Sequence, residues 1–174
     1  SAPGVSVLST VPMGGGTDNA LTVGPAVYAP GAMDGSPKAS ASGALADFGL
    51  GDKINTAVAG KVCLIARGAI DFAVKVSNCQ ASGGVGAVVY NNVPGGFAGT
   101  LGTTVTSIPS VTASDTEGAA MKGQLGQLAT VSVKPANYAY YDGTSMATPH
   151  VSAVAALVWS YFPSCTAAQL RSSL

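Results

Sequence analysis

Hydrophobic and polar positions change their rhythm twice along the chain. Residues 1–12 (SAPGVSVLSTVP) set Val5 and Val7 against Ser6 and Ser9, between Pro3-Gly4 and Pro12, which predicts one strand. A glycine turn, Gly14-Gly15-Gly16, follows. Further on, Lys61 to Ala66 is a continuous apolar strand. Asp71 to Ser82 then places Phe72, Val76 and Cys79 at i, i+4 and i+7, one face of a helix that Gly83-Gly84 ends. Val85 to Tyr90 is a second buried strand, closed by Asn91-Asn92. Strand, helix and strand within about thirty residues predict a parallel βαβ unit with a right-handed crossover. Ser110 to Thr112 is a short strand, and Ser114 with Glu117 forms a capping box for a helix carrying Ala120, Met121 and Leu125. Thr130 to Val133 is a final strand, and residues 31–47 and 93–107, rich in Gly, Ser, Ala and Thr, read as loops. The last stretch opens on Tyr138, Tyr140 and Tyr141 and a Gly143-Thr144-Ser145 turn. A helix from Ser145 to about Phe162 is apolar on every side, the pattern of a helix at the centre of a larger protein. Pro163 ends it, and Thr166 with Gln169 caps a short helix running to Leu174.

Composition narrows the function classes. Hydrophobic residues make up 47% of the 174 positions and charged residues only 9%, against about 25% in an ordinary globular domain. Lysine plus arginine and aspartate plus glutamate number 8 each, so no basic face for nucleic acid is expected. The longest apolar run, Met146 to Phe162, is broken by Pro149, His150, Ser152 and Ser160 and falls short of the ~20 residues of a membrane span. Few charges with abundant small residues suit an exported protein, and Ser1 reads as a boundary set either by processing or by how the chain was produced. His150 is the only histidine and no C-x2-C spacing occurs, so neither zinc nor any other cofactor is expected. Cys63, Cys79 and Cys165 are either three buried thiols or one Cys63–Cys79 disulfide with Cys165 paired outside the chain. The export-like composition favours the disulfide.

The candidate chemistry lies in Gly143-Thr144-Ser145-Met146-Ala147-Thr148-Pro149-His150. A serine at a helix start after a glycine turn has an exposed hydroxyl beside outward-pointing N–H groups, which can stabilise an oxyanion in acyl transfer. Serine is equally a favoured N-cap, and these residues alone do not separate the two roles. Pro149 is tolerated only near the start of the helix, where N–H groups lack partners.

This segment matches, at every position, the nucleophile signature of the subtilisin-like serine proteases, G-T-S-M-A-[TS]-P-H. Ala2-Pro3-Gly4, with Ser9-Thr10 and Pro12, resembles the strand that lies just before that signature in the same family. Between the two, Arg67-Gly68, Phe72, Lys75, Gly83 and Tyr90-Asn91-Asn92 resemble a protease-associated (PA) domain. Ala66 departs from the acidic residue frequent in that family, which leaves the ligand of the insert open.

The resemblances imply an α/β (α+β) architecture: a PA-type β-sandwich or barrel with flanking helices and a βαβ unit over 13–136, between pieces of a subtilisin-type α/β domain at 1–12 and 137–174. They imply Ser145 as the nucleophile of an endopeptidase, its own N–H as one oxyanion donor, and Met146 as the residue on the leaving-group side, open to sulfoxide formation. His150 lies five positions along the same helix, about 140° around from Ser145, and is structural in the family. The family's base and acid lie in H-G-[TH] and D-[ST]-G motifs, which these residues do not contain, and Asp142 reads as a solvated or turn-capping residue. The implied partners are a protein or peptide substrate and the remainder of the protease domain, with a homo-oligomer through the C-terminal helix; no nucleic acid or membrane partner is expected. The expected location is extracellular, and the chain alone is expected to be inactive.

Two other classes compete. An α/β-hydrolase would need an acid and then a histidine after the serine, and too little chain follows Ser145 for that. A non-catalytic module, in which the insert binds a peptide or glycan, remains the alternative.

Overall fold

The computed structural model describes every residue except Ser1, Ser6, Asp142 and Leu174. In chain order the elements are strands β1 (Val7–Thr10), β2 (Gly16–Val23), β3 (Ala26–Tyr28), β4 (Met33–Asp34), β5 (Ser40–Asp47) and β6 (Val62–Ala66). Helix α1 (Phe72–Ala81), strands β7 (Gly86–Tyr90), β8 (Gly99–Thr100) and β9 (Ser110–Ala113) and helix α2 (Asp115–Lys122) follow. Strands β10 (Leu128–Ala136) and β11 (Tyr138–Tyr141) and helices α3 (Thr144–Tyr161) and α4 (Ala167–Ser173) complete the chain. They form two compact units, Thr17–Ala136 and a second made of residues 1–16 with 137–174.

The larger unit is a mixed seven-stranded sheet in the order β3-β2-β10-β5-β6-β7-β9. Strand β5 joins its two halves. Ser40–Ala44 pair antiparallel with β10, while Leu45, Ala46 and Asp47 pair in parallel with Val62, Cys63 and Leu64 of β6. The parallel half continues through β7 and β9. Residues of β6 are buried on both faces, which is why this strand reads as an unbroken apolar run. Val62 and Leu64 enter a core with Leu21, Val23, Val131 and Met121; Cys63 and Ile65 enter another with Phe48, Val76, Cys79 and Val89. Helix α1 thus covers one face of the parallel strands, and α2 with β2 and β10 lies on the other.

The βαβ unit is present as β6, α1 and β7, with Val62 opposite Gly86 and Ala66 opposite Tyr90. The Ser114–Glu117 capping box and the Thr166–Gln169 cap are both formed. Cys63 and Cys79 are disulfide-bonded and fully buried, while Cys165 is a free, partly buried thiol.

Three expectations are corrected. Residues 40–47 are a strand, not a loop: Ser-Ala-Ser-Gly-Ala-Leu-Ala-Asp has little intrinsic β preference, and the strand exists through its two partners, including a Ser42–Thr130 hydroxyl pair at 2.7 Å. Helix α2 stops at Lys122, so Leu125 is off it and exposed; Met121 and Gly118 carry its buried face, and Ala120 is exposed. Pro149 lies in the second turn of α3, where it removes an N–H that would have reached the Ser145 carbonyl.

In the smaller unit β1 and β11 form a two-stranded antiparallel ribbon, with Val7 opposite Tyr141 and Thr10 opposite Tyr138. The Val11 N–H continues it by donating to the Asn137 carbonyl at 3.0 Å. No residue of α3 is buried; Val151 is 43% and Leu157 60% exposed, and Phe162 just past its end is 61% exposed. Among the described residues no helix is long and apolar enough to cross a membrane.

Candidate functional site

Ser145 stands in the first turn of α3 with an exposed side chain. The turn before it depends on Gly143, whose φ of 145° is closed to L side chains. The first bonds of the helix are Met146 N–H and Ala147 N–H to the Gly143 carbonyl, at 3.1 and 3.4 Å. The N–H groups of Thr144 and Ser145 precede them and carry the positive end of the helix dipole. Thr148 turns its hydroxyl back to the Thr144 carbonyl at 2.8 Å. His150 Nδ1 lies 2.8 Å from the Met146 carbonyl oxygen. A carbonyl only accepts, so Nδ1 carries the proton and the ring is held along its own helix rather than brought to Ser145. Asp142 lies outside the described residues.

The position of this turn is fixed from the start of the chain. Gly143 donates its N–H to the Gly4 carbonyl at 2.7 Å. Residues 1–12 and the segment around Ser145, far apart in the chain, are brought together by the ribbon of β1 and β11.

In the larger unit the motif residues tie loops to the βαβ frame. Arg67 follows β6, donates its backbone N–H to the Tyr90 carbonyl at 2.9 Å and its Nη1 to the Asn91 side-chain oxygen at 3.0 Å. Its guanidinium lies 4.8 Å from the centre of the Phe97 ring, which packs on Phe72 with centroids 5.4 Å apart. Asn91 Nδ2 donates to the Gly95 carbonyl at 2.7 Å, and the Gly95 N–H donates to Asp115 at 2.8 Å. Further along α1, buried Lys75 donates to the Leu50 carbonyl and Asn78 Nδ2 to the Gly51 carbonyl at 2.9 Å. Burial holds the Lys75 ammonium below the usual lysine range, with the Asp52 charge opposing.

Residues 67–73 and 100–104 line a groove of about 570 Å³. The sequence motif holds Arg67, Gly68 and Phe72 of this lining but neither the strip at 100–104 nor Phe97, which packs on Phe72. The one available signal was Phe97, the sole aromatic in the glycine-rich stretch 93–107. Among the described residues no group of three or more His, Cys, Asp or Glu could hold a metal ion.

Comparisons with known proteins agree with this architecture. Leucine aminopeptidase 2 of Trichophyton equinum is 56% identical over 43 residues, covering 25% of this chain and 9% of that protein. The crystal structure of the psychrophilic subtilisin-like protease Apa1 from Pseudoalteromonas sp. AS-11 is similar with a TM-score of 0.61 and 36% identity, over 99% of this chain and 45% of that one. An aminopeptidase from Aneurinibacillus sp. strain AM-1 is similar with a TM-score of 0.60 and 28% identity, over 77% of this chain and 34% of that one. The chain spans less than half the length of each of these proteins, all of them peptidases. The PA domain family matches residues 22–121, more than half of the 174 positions, and the chain belongs to that family.

Proposed function

We propose that this chain is part of a secreted subtilisin-like serine endopeptidase, with Ser145 as nucleophile and the PA domain governing substrate access or protein interactions. One observation carries the reading: the likeness to the subtilisin-like protease covers 99% of the chain, flanks included, whereas that to the aminopeptidase covers 77%. Residues 1–12 and 137–174 are on this reading pieces of the protease domain. The buried Cys63–Cys79 disulfide favours an oxidising, extracellular compartment.

In the proposed reaction Ser145 Oγ bonds to the scissile carbonyl carbon and its proton passes to a histidine base. The N–H of Ser145 stabilises the oxyanion. Collapse breaks the C–N bond, the departing amine takes the proton, and water then hydrolyses the acyl-enzyme. The only histidine present is held on α3, so base and orienting acid belong to the remainder of the protease domain, and the 174 residues alone are inactive. A serine-directed phosphonate is expected to label Ser145 in the full-length protease and not in this chain. Full activity of the Ser145→Ala full-length protease would refute the assignment.

The groove at 67–73 and 100–104 favours a second reading, a peptide- or glycan-binding module. Titration of the isolated chain with substrate-derived peptides, followed by amide shifts confined to these residues, distinguishes it.

A further inference from the structure

We propose that Gly4 is a positioning residue for Ser145; this rests on the reading of Ser145 as a nucleophile. The Gly143 carbonyl is the acceptor on which the first turn of α3 is hung, through Met146 and Ala147. Gly143 is itself held by its N–H to the Gly4 carbonyl at 2.7 Å. A Cβ placed on Gly4 would stand 2.9 Å from the Gly143 carbonyl oxygen and 3.3 Å from the Ala147 Cβ. A backbone oxygen cannot swing aside as the tip of a long side chain can. Relief therefore comes from displacing the Gly143 peptide, and with it the N–H groups of Thr144 and Ser145 and the Ser145 Cα.

The absence of a side chain at position 4 is thus a condition for the geometry of the nucleophile turn. Gly4 acts through Gly143 and is given no contact with substrate. Its replacement acts on the chemical step and leaves ground-state binding alone.

In the full-length protease, Gly4→Ala is expected to lower kcat and the rate of phosphonate labelling of Ser145 together, by on the order of 100-fold. KM is expected to stay within about twofold. Wild-type kcat, or a loss confined to KM, overturns the inference. Ser145→Ala in parallel tests the nucleophile reading separately, since retained activity there sinks that reading whatever Gly4 does. Hydrogen exchange at the Gly143 amide of the 174-residue chain needs neither activity nor a variant. Protection is expected, and exchange at the rate of an open loop overturns the inference even if Ser145 proves to be the nucleophile.

Discussion

Arg67 Nη1 donates to the side-chain oxygen of Asn91 at 3.0 Å, joining the end of β6 to the loop that leaves β7. The same guanidinium lies over Phe97, so one side chain holds both ends of the loop 91–97. Arg67→Met keeps much of the stem and loses both interactions. It is expected to cost about 1–2 kcal/mol in urea unfolding, with faster hydrogen exchange concentrated in residues 91–98. Unchanged exchange there would show that the loop is held by other means.

Glu117 accepts from the N–H groups of Ser114 and Ala29 and from the Ser114 hydroxyl. Desolvation pushes its pKa up, but these three donors outweigh it and hold the carboxyl below its ordinary range. The unfolded chain, with a glutamate near pH 4.3, therefore binds the proton first as pH falls. The stabilisation is complete above that value and is lost as the pH drops through the folded-state pKa. Wild type is expected to exceed Glu117→Gln by about 1 kcal/mol at pH 7, with the gap closing below about pH 4. A gap independent of pH would remove the carboxylate from the explanation.

Cys63 and Cys79, 16 residues apart, tie the first strand of the βαβ unit to its helix. Cys63→Ala with Cys79→Ala is expected to lower stability by about 3 kcal/mol. Denaturant unfolding of oxidised wild type beside the double variant measures it.

Gly118 faces the ring of Tyr90, and a Cβ there would fall within the ring's own contact distance. Gly118→Ala must push α2 off β7 and is expected to cost about 1–3 kcal/mol. A neutral effect in thermal melts would mean that Tyr90 moves freely.

Every residue of both cores lies within Thr17–Ala136, so that unit is expected to fold alone as a monomer. The exposed apolar residues of α3 (Val151, Val154, Leu157 and Trp159 among them), with Phe162 just past its end, are too large a surface to leave in water. The full chain is accordingly expected to scatter light as a dimer or larger species. A monomer with a water-exposed Trp159 emission would contradict this.

What was legible in the sequence followed from local signals strong enough to survive tertiary context. Val62–Ala66 and Gly86–Tyr90 are continuous apolar runs because both faces are buried, and Ser114 with Glu117 is a cap whatever surrounds it. Residues 40–47 carried no such signal, since their strand is made by β10 and β6. The glycine turn and helix start around Ser145 were legible from Gly143-Thr144-Ser145, while the Gly4–Gly143 bond was not: it depends on β1 and β11 pairing, and no spacing within either segment encodes that.

That pairing has a consequence for how such a chain can arise. Thr10 and Tyr138 are register partners, as the two strands of a simple hairpin would be. Everything between them is, to the ribbon, a hairpin loop of unusual length. A whole domain can therefore be gained or lost at this point by a single splice, without shifting the strand register by one residue.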